Sequence, residues 1–494
     1  MDDPPLTIDL GLDREAPDPG PPPVQPWWRR GAAVVAVSVL VSAAAAGSAA
    51  PRPALADVFT VPVGRQGDVQ VYLDALYVLR LDGTGATVAA YGLRDGVRRW
   101  SSPAPDDIVS ADDSYLVVSG TAVAVVTSRD DPVEARTQVY DAGTGEPLWT
   151  RRGWPVPGGG PDRVLLSRRA PCPGSAGCGD SAGVREQEMV AVDRRSGGIA
   201  WTVRLDLGTS YATAPAMAPA LAPALAPALT PALTPAQFAT VDGAGQLAVR
   251  DVTTGEVTAT RTLGPLPHQR MMQFAGGILL VQVLGGLAGF DPVTLDPLWT
   301  VTMSLTGGGA EVWPCARLIC ASSPVGTYAI EPATGTVRWR LDRSMVFGQF
   351  DERHLMTHST GGGPVERGFD ADVEVIEVET GARLFVLRGW EPMAILTGTR
   401  YVLVHRWHDT RSLIWLGELR ADQRAVRPVG ALPGVGQWCT AARAGDGRHA
   451  RSFLVCRTVD DRARVWRFTS SAGQGRPAGA PTRGGSRRPR HGWC

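Results

Sequence analysis

The chain has no lysine. All 49 of its basic residues are arginines, and 49 acidic residues balance them, so the formal net charge is zero. A neutral balance leaves no case for general nucleic-acid binding, which needs a basic surface to meet the phosphate backbone. Neither a phosphate loop nor a dinucleotide fingerprint stands out, and the glycine runs at 158–160 and 307–309 read as flexible connections. There is no CxxC pair, which disfavours a structural zinc site. Long helical stretches are also scarce, because 58 glycines and 40 prolines interrupt the chain.

From residue 58 onward, short Val/Leu/Thr/Trp runs alternate with Asp/Gly turns. That alternation reads as all-β. Ahead of it, residues 1–30 read as a disordered cytoplasmic tail, acidic and Pro-rich up to Trp27, Trp28, Arg29 and Arg30. The uncharged stretch 31–50 is long enough for a helix of roughly 30 Å, the thickness of a hydrocarbon core, and reads as a transmembrane anchor. The preceding arginines place the N-terminus in the cytoplasm and the rest outside. A cleaved signal peptide is the alternative, since Ala54-Leu55-Ala56 before Asp57 has the small-x-small form of a cleavage site. Residues 51–57 read as a linker and 470–494 as a disordered tail.

One motif recurs: an apolar strand, an acidic residue, two variable residues, Thr-Gly, and an aromatic four residues after the glycine. Its plainest copy holds Asp141, Gly145 and Trp149. It returns as Asp193, Gly197 and Trp201, and as Glu331, Gly335 and Trp339. Partial copies hold Asp251 and Gly255 without an aromatic at 259, Asp291 and Trp299 without the glycine, and Glu377, Gly381 and Phe385. An early copy, Asp95-Gly96 to Trp100, reads as shortened. The aromatic slots recur every 40 to 58 residues, and the longest interval contains a Pro-Ala-Leu tract at 215–236. Removing about 20 residues of that tract brings the interval near 40, so the tract reads as an extruded low-complexity loop. A period near 40 made of short strands indicates propeller blades. The acid can accept from backbone N–H groups of the turn, the glycine supplies a positive φ, and the aromatic can wedge one blade against the next.

The series resembles the repeat of the quinoprotein (PQQ-binding-like) propeller family, over roughly 58–469. The resemblance implies an all-β β-propeller of seven or eight four-stranded blades, eight favoured, preceded by the one transmembrane helix. About nine candidate hairpins are countable, and a last hairpin, Phe453–Cys456 with Val465–Phe468, is expected to pair with strands near Val58–Val63 and close the ring.

Six cysteines form sequence-local pairs, Cys172–Cys178, Cys315–Cys320 and Cys439–Cys456, which an oxidising compartment allows to bridge; Cys494 is left over. The pairs His354/His358 and His405/His408 lie in strand-rich sequence, where a spacing of three or four does not bring side chains together. Asp106, Asp107, Asp112 and Asp113 read as a solvated loop, with a calcium loop as the alternative. Quinone-dependent members of the resembled family hold their cofactor with adjacent cysteines, calcium and a catalytic Asp. This chain has no Cys-Cys dipeptide, and the other parts cannot be mapped. No cofactor, metal site or catalytic residue is therefore expected. The expected role is a membrane-anchored, extracytoplasmic binding or scaffolding module for a protein, peptide or glycan, with no nucleic acid. A divergent quinoprotein oxidoreductase or a propeller hydrolase is the alternative.

Overall fold

The computed structural model describes residues 55–469 except 66, 83–84, 106–113, 129–134, 161, 170–186, 207–208, 215–235, 265, 267–270, 305–310, 324, 360–372, 388–389, 397–400, 407–412, 421–423 and 445–450. The stretches read as cytoplasmic tail (1–30), anchor (31–50) and C-terminal tail (470–494), together with Cys172, Cys178, Cys494, the Asp106–Asp113 cluster and nearly all of the Pro-Ala-Leu tract, lie outside these residues. Among the described residues no helix is long and apolar enough to cross a membrane.

Thirty-six strands pair into nine four-stranded antiparallel sheets, each an up-and-down meander. In chain order the blades occupy 68–103, 114–152, 154–205, 210–262, 272–302, 311–342, 344–387, 390–432 and 435–468. The ninth contributes only three strands from its own stretch; its outermost is Leu55–Pro62, paired antiparallel with Arg462–Phe468. Strand Leu55–Pro62 begins inside the stretch read as linker.

The count of nine corrects the expected seven or eight, and its cause is local. Blade 8 carries neither the Asp–Thr–Gly turn nor the docking aromatic. The last hairpin, expected only to close the ring, is extended by Val435–Ala444 into a blade of its own. The outermost strands carry the repeat's aromatic, so blades without it leave no mark at the 40-residue period.

The first strand of each blade is innermost, since these first strands meet those of neighbouring blades and the first meets the ninth. The core is spread between blades rather than gathered at one centre. Leu280, Leu287 and Trp299 of blade 5, for example, pack with Val312, Ile319 and Tyr328 of blade 6. A single blade leaves both apolar faces bare, so burial requires a neighbour on each side. The seam between blades 9 and 1 is sealed by Val61, Val69, Leu76, Phe453 and Val465. Arg457 clasps the same seam, donating to the carbonyls of Gly64 at 3.1 Å and Gly67 at 2.8 Å.

Antiparallel alternation sorts the connections onto two faces. Links between first and second strands and between third and fourth strands lie on one, here the turn face. Links between second and third strands and between blades lie on the other, the crossover face.

Candidate functional site

The repeat's residues converge on the turn face, where they join each blade to the next. In the plainest copy Asp141 Oδ1 accepts from the backbone N–H of Gly143 at 2.9 Å and Thr144 at 2.8 Å. The Gly145 N–H donates to the Asp141 carbonyl at 2.8 Å, and Asp141 N–H donates to Glu146 O at 2.9 Å. Asp193, Asp251 and Asp291 accept in the same way from Ser196, Thr254 and Thr294. Backbone donors hold the carboxyls of Asp193 and Asp291 below the usual carboxylate range, chiefly the N–H groups of Ser196 and Thr294.

The aromatic of one blade then covers the turn of the following blade. Trp100, Trp149, Trp201, Trp299 and Trp339 donate from Nε1 to the carbonyls of Ala142, Arg194, Val252, Pro332 and Val378, at 2.6 to 2.9 Å. Their rings lie flat on glycine. A Cβ at Gly335 would stand 2.5 Å from the Trp299 ring, and one at Gly381 would stand 2.6 Å from Trp339. At Gly335 φ is +70°, so the position requires glycine for both reasons. Gly145, Gly197 and Gly255 lie under Trp100, Trp149 and Trp201 in the same way.

The irregular copies follow the same geometry with different parts. Gly92 and Gly96 stand where Asp141 and Gly145 stand, and Trp100 follows Gly96 at the same spacing, so the first copy is full length rather than shortened. Asp95 occupies the threonine position, where its carboxylate accepts from Val97 N–H at 3.0 Å, as Thr144 accepts from Glu146. Gly96 is covered by Phe59 of the closing strand, an aromatic that the sequence pattern did not reveal. Glu331 holds its turn through its carbonyl, which accepts from Gly335 N–H at 2.9 Å; Glu377 does the same and also accepts from the Thr380 hydroxyl at 2.6 Å. Leu295 replaces a glycine at φ +60°, and the preceding blade offers it Ala259 instead of an aromatic. Phe385 packs with Leu419 and Val426 of blade 8.

Both cysteine pairs that lie among the described residues are bridged. Cys315–Cys320 spans a hairpin with 5.7 Å between Cα atoms, and Cys439–Cys456 joins directly opposed residues of adjacent strands at 4.1 Å. His354 and His358 sit on one strand, four residues and roughly 13 Å apart along it. His354 Nδ1 contacts Asp351 at 2.9 Å, and burial pushes the His358 pKa down. Among the described residues no group of three or more His, Cys, Asp or Glu side chains could hold a metal ion. The pentapeptide Gly179-Asp180-Ser181-Ala182-Gly183 has the form of a serine-hydrolase nucleophile elbow, but it lies outside the described residues. Its flanks, Arg163–Arg169 and Gln187–Asp193, are paired antiparallel strands of one blade rather than the strand and helix that chemistry uses.

The crossover face is built differently. Its connections run from single residues, Gly153 and Arg343, to stretches such as 170–186 and 360–372. Between blades 5 and 6 it carries a cleft of about 650 Å³, lined by Gln282, Leu284, Met303, Tyr328 and Arg340. Leu284 is 68% exposed at its rim. The Arg340 guanidinium lies 5.2 Å from the Tyr328 ring centre and pairs with Asp342 at 2.6 Å. A second cleft of about 460 Å³ lies on blade 9 beside the link from blade 8, between Thr60, Pro433, Val459 and Arg462. Neither cleft contains a residue of the repeat, which is why the motif search did not reach them.

A family model described as outer membrane protein assembly factor BamB matches residues 185–349. Among solved structures, BamB from Moraxella catarrhalis is 15% identical, with 84% of this chain and 100% of that one covered and a TM-score of 0.38. The quinohemoprotein alcohol dehydrogenase ADHIIG from Pseudomonas putida HK5 is 12% identical, with 87% and 78% covered and a TM-score of 0.40. Sqt1 from Saccharomyces cerevisiae is 9% identical, with 84% and 97% covered and a TM-score of 0.41. No curated protein sequence matches the chain.

Proposed function

We propose that this chain, a propeller of PQQ-like repeats, is a docking platform that presents its crossover face to a protein, peptide or glycan partner outside the cell membrane. The observation that carries the reading is the unequal use of the two faces. On the turn face the repeat's acids, glycines and tryptophans are engaged in turns and in blade-to-blade docking. The crossover face carries an apolar cleft with a polar rim that no repeat residue lines, a feature of a recognition surface held on a rigid scaffold. The family model's description names an assembly factor, and a non-catalytic role in assembly agrees with a platform.

The propeller's chain enters at Leu55, opposite Phe468, so both ends of the described propeller lie on the turn face. The repeat acids are spread over different blades and do not form one catalytic group, which favours a platform over an enzyme.

The test is site-specific photo-cross-linking in membranes, using the full chain. A photoreactive residue at Leu284, in the crossover-face cleft, should capture a discrete partner, and one at Val337, exposed beside a turn-face loop, should not. Equal labelling from both positions would remove the face assignment. Dye reduction by the purified chain with pyrroloquinoline quinone, calcium and alcohols would overturn the platform in favour of an oxidoreductase.

A further inference from the structure

The turn face repeats one chemistry from blade to blade. Taken from the acid position to the start of the outermost strand, the turns of blades 1–7 hold eleven carboxylates, from Asp95 to Glu379, and three arginines. One of those arginines, Arg194, is buried and donates to the Ser119 carbonyl at 3.2 Å. The turns occupy only part of these acids. In Asp95, Asp141 and Asp251 the turn's hydrogen bonds all end on Oδ1, which leaves Oδ2 to an outside donor. Glu146 and Glu256 stand exposed just after the turn glycine.

The same face carries most of the bare apolar surface. Of the ten large apolar side chains that stand exposed among the described residues, seven lie in its links or within two residues of them, Val97 at 61% and Val293 at 54% among them. An acidic surface repels an anionic bilayer, which excludes that occupant. Acids with apolar side chains between them suit a segment that is basic and partly apolar. The chain carries such a segment. Residues 470–494 contain five arginines, no carboxylate, and Trp493. They follow strand Arg462–Phe468, whose Phe468 end lies on the turn face opposite Leu55. Twenty-five residues reach at most about 90 Å. The blade 1 turn adjoins this exit, since Phe59 of the closing strand covers its Gly96.

We infer that segment 470–494 docks on the turn face of its own propeller, with its arginines on the repeat acids. A guanidinium offers paired donors in the geometry of a carboxylate, so arginine suits these sites better than a point charge would. Exposed ion pairs are individually weak. The tether offsets that weakness, because a linked segment meets its site at about millimolar effective concentration. The inference is separate from the platform reading, since it concerns the face that reading leaves unused. A turn face covered by the chain's own segment also leaves the crossover face as the one open to a partner.

The experiment uses the purified full chain with a photoreactive residue in place of Val97, and of Leu284 for comparison. Irradiation at Val97 should give a cross-link that peptide mapping assigns to 470–494, and Leu284 should give none. Mixing isotopically labelled and unlabelled chains separates links within one chain from links between copies. In 1 M salt, where the screening length is about 3 Å, the yield should fall severalfold. Arg483→Gln, Arg487→Gln, Arg488→Gln and Arg490→Gln together should lower it about tenfold, as the loss of four exposed pairs does. Ile199 provides a second attachment position, and thermal melting reports whether each variant folds. No link to 470–494 from either turn-face position, an equal yield from Leu284, or links only between copies would each overturn the inference. Yields indifferent to both salt and the four arginines would overturn it too, as would capture of another protein at Val97 in place of the segment.

Discussion

Blade 4 lacks its tryptophan and blade 5 lacks its glycine, and these two substitutions belong to one junction. Arg261, two residues after Ala259, donates to the Leu295 carbonyl at 3.0 Å, as Arg151, two residues after Trp149, donates to that of Gly197 at 3.0 Å. The small alanine leaves the space that the buried Leu295 side chain fills. Ala259→Trp alone should therefore destabilise the chain by about 1–3 kcal/mol through overpacking. Together with Leu295→Gly it should recreate the latch of the other blades, so that the double variant is more stable than the sum of the singles by at least about 1 kcal/mol. Urea denaturation of all four proteins measures the coupling, and strict additivity would show that the two positions do not meet. A second prediction concerns acid. The Asp193 carboxyl is held low, first by Ser196 N–H and then by the Ser196 hydroxyl. A depressed carboxylate stabilises the fold above its unfolded pKa of about 4, and that contribution disappears as pH falls through the lower folded value. Asp193→Asn keeps an acceptor but does not titrate. Its stability should fall less steeply than wild type below about pH 4, and parallel acid titrations of the two proteins would disprove the role.

At the scale of elements, the four-stranded meander was legible wherever an Asp–Thr–Gly turn announced the link from third to fourth strand. Blades 8 and 9 lack that turn; the sequence of the first, at Tyr401–Val404 and Leu413–Leu419, reads as a degenerate repeat, and that of the second only as a closing hairpin. Closing Phe59 was not legible, because no Asp–Thr–Gly turn precedes it: the other strands of its blade lie at the far end of the chain. The Pro-Ala-Leu tract sits between the first two strands of blade 4, Ser210–Thr213 and Gln237–Val241, and those strands pair directly, with Thr213 opposite Phe238. Deleting 215–235 and joining the strands by a short turn should leave one cooperative thermal transition, because loop-closure entropy changes only slowly with length. A broadened or split transition would make the tract part of the blade.

For the molecule as a whole, the ring's two faces answer to different demands. The turn face repeats because every blade must be joined to the next. Connections that carry no repeat turn, on the crossover face and between the first two strands of blade 4 alike, vary in length because they are free of that demand. The clefts and the aromatics of the innermost strands were not legible for a related reason: links between blades range from one residue to nine or more, so the aromatic of an innermost strand has no fixed spacing from the docking tryptophan. Trp154 follows Trp149 closely, while Phe274 lies well beyond position 259. Orientation can be tested on intact, wall-stripped cells. Protease added outside should digest the propeller and spare an N-terminal tag. A mature protein beginning at Asp57 would remove the anchor, yet the closing strand would lose only Leu55 and Ala56.

The sequence alone determined what depends on near neighbours. The Asp–Thr–Gly turns, the recurring tryptophans and the cysteine pairs 315–320 and 439–456 are set by short-range geometry, and short-range spacing is visible in a linear chain. Tertiary structure alone decided the number of blades, the seam sealed by Phe59, and the exchange of glycine and tryptophan for Leu295 and Ala259. Each of these joins residues from different blades. Their meeting depends on how many sheets must pack face to face before the last apolar face is covered, a condition that no single repeat contains.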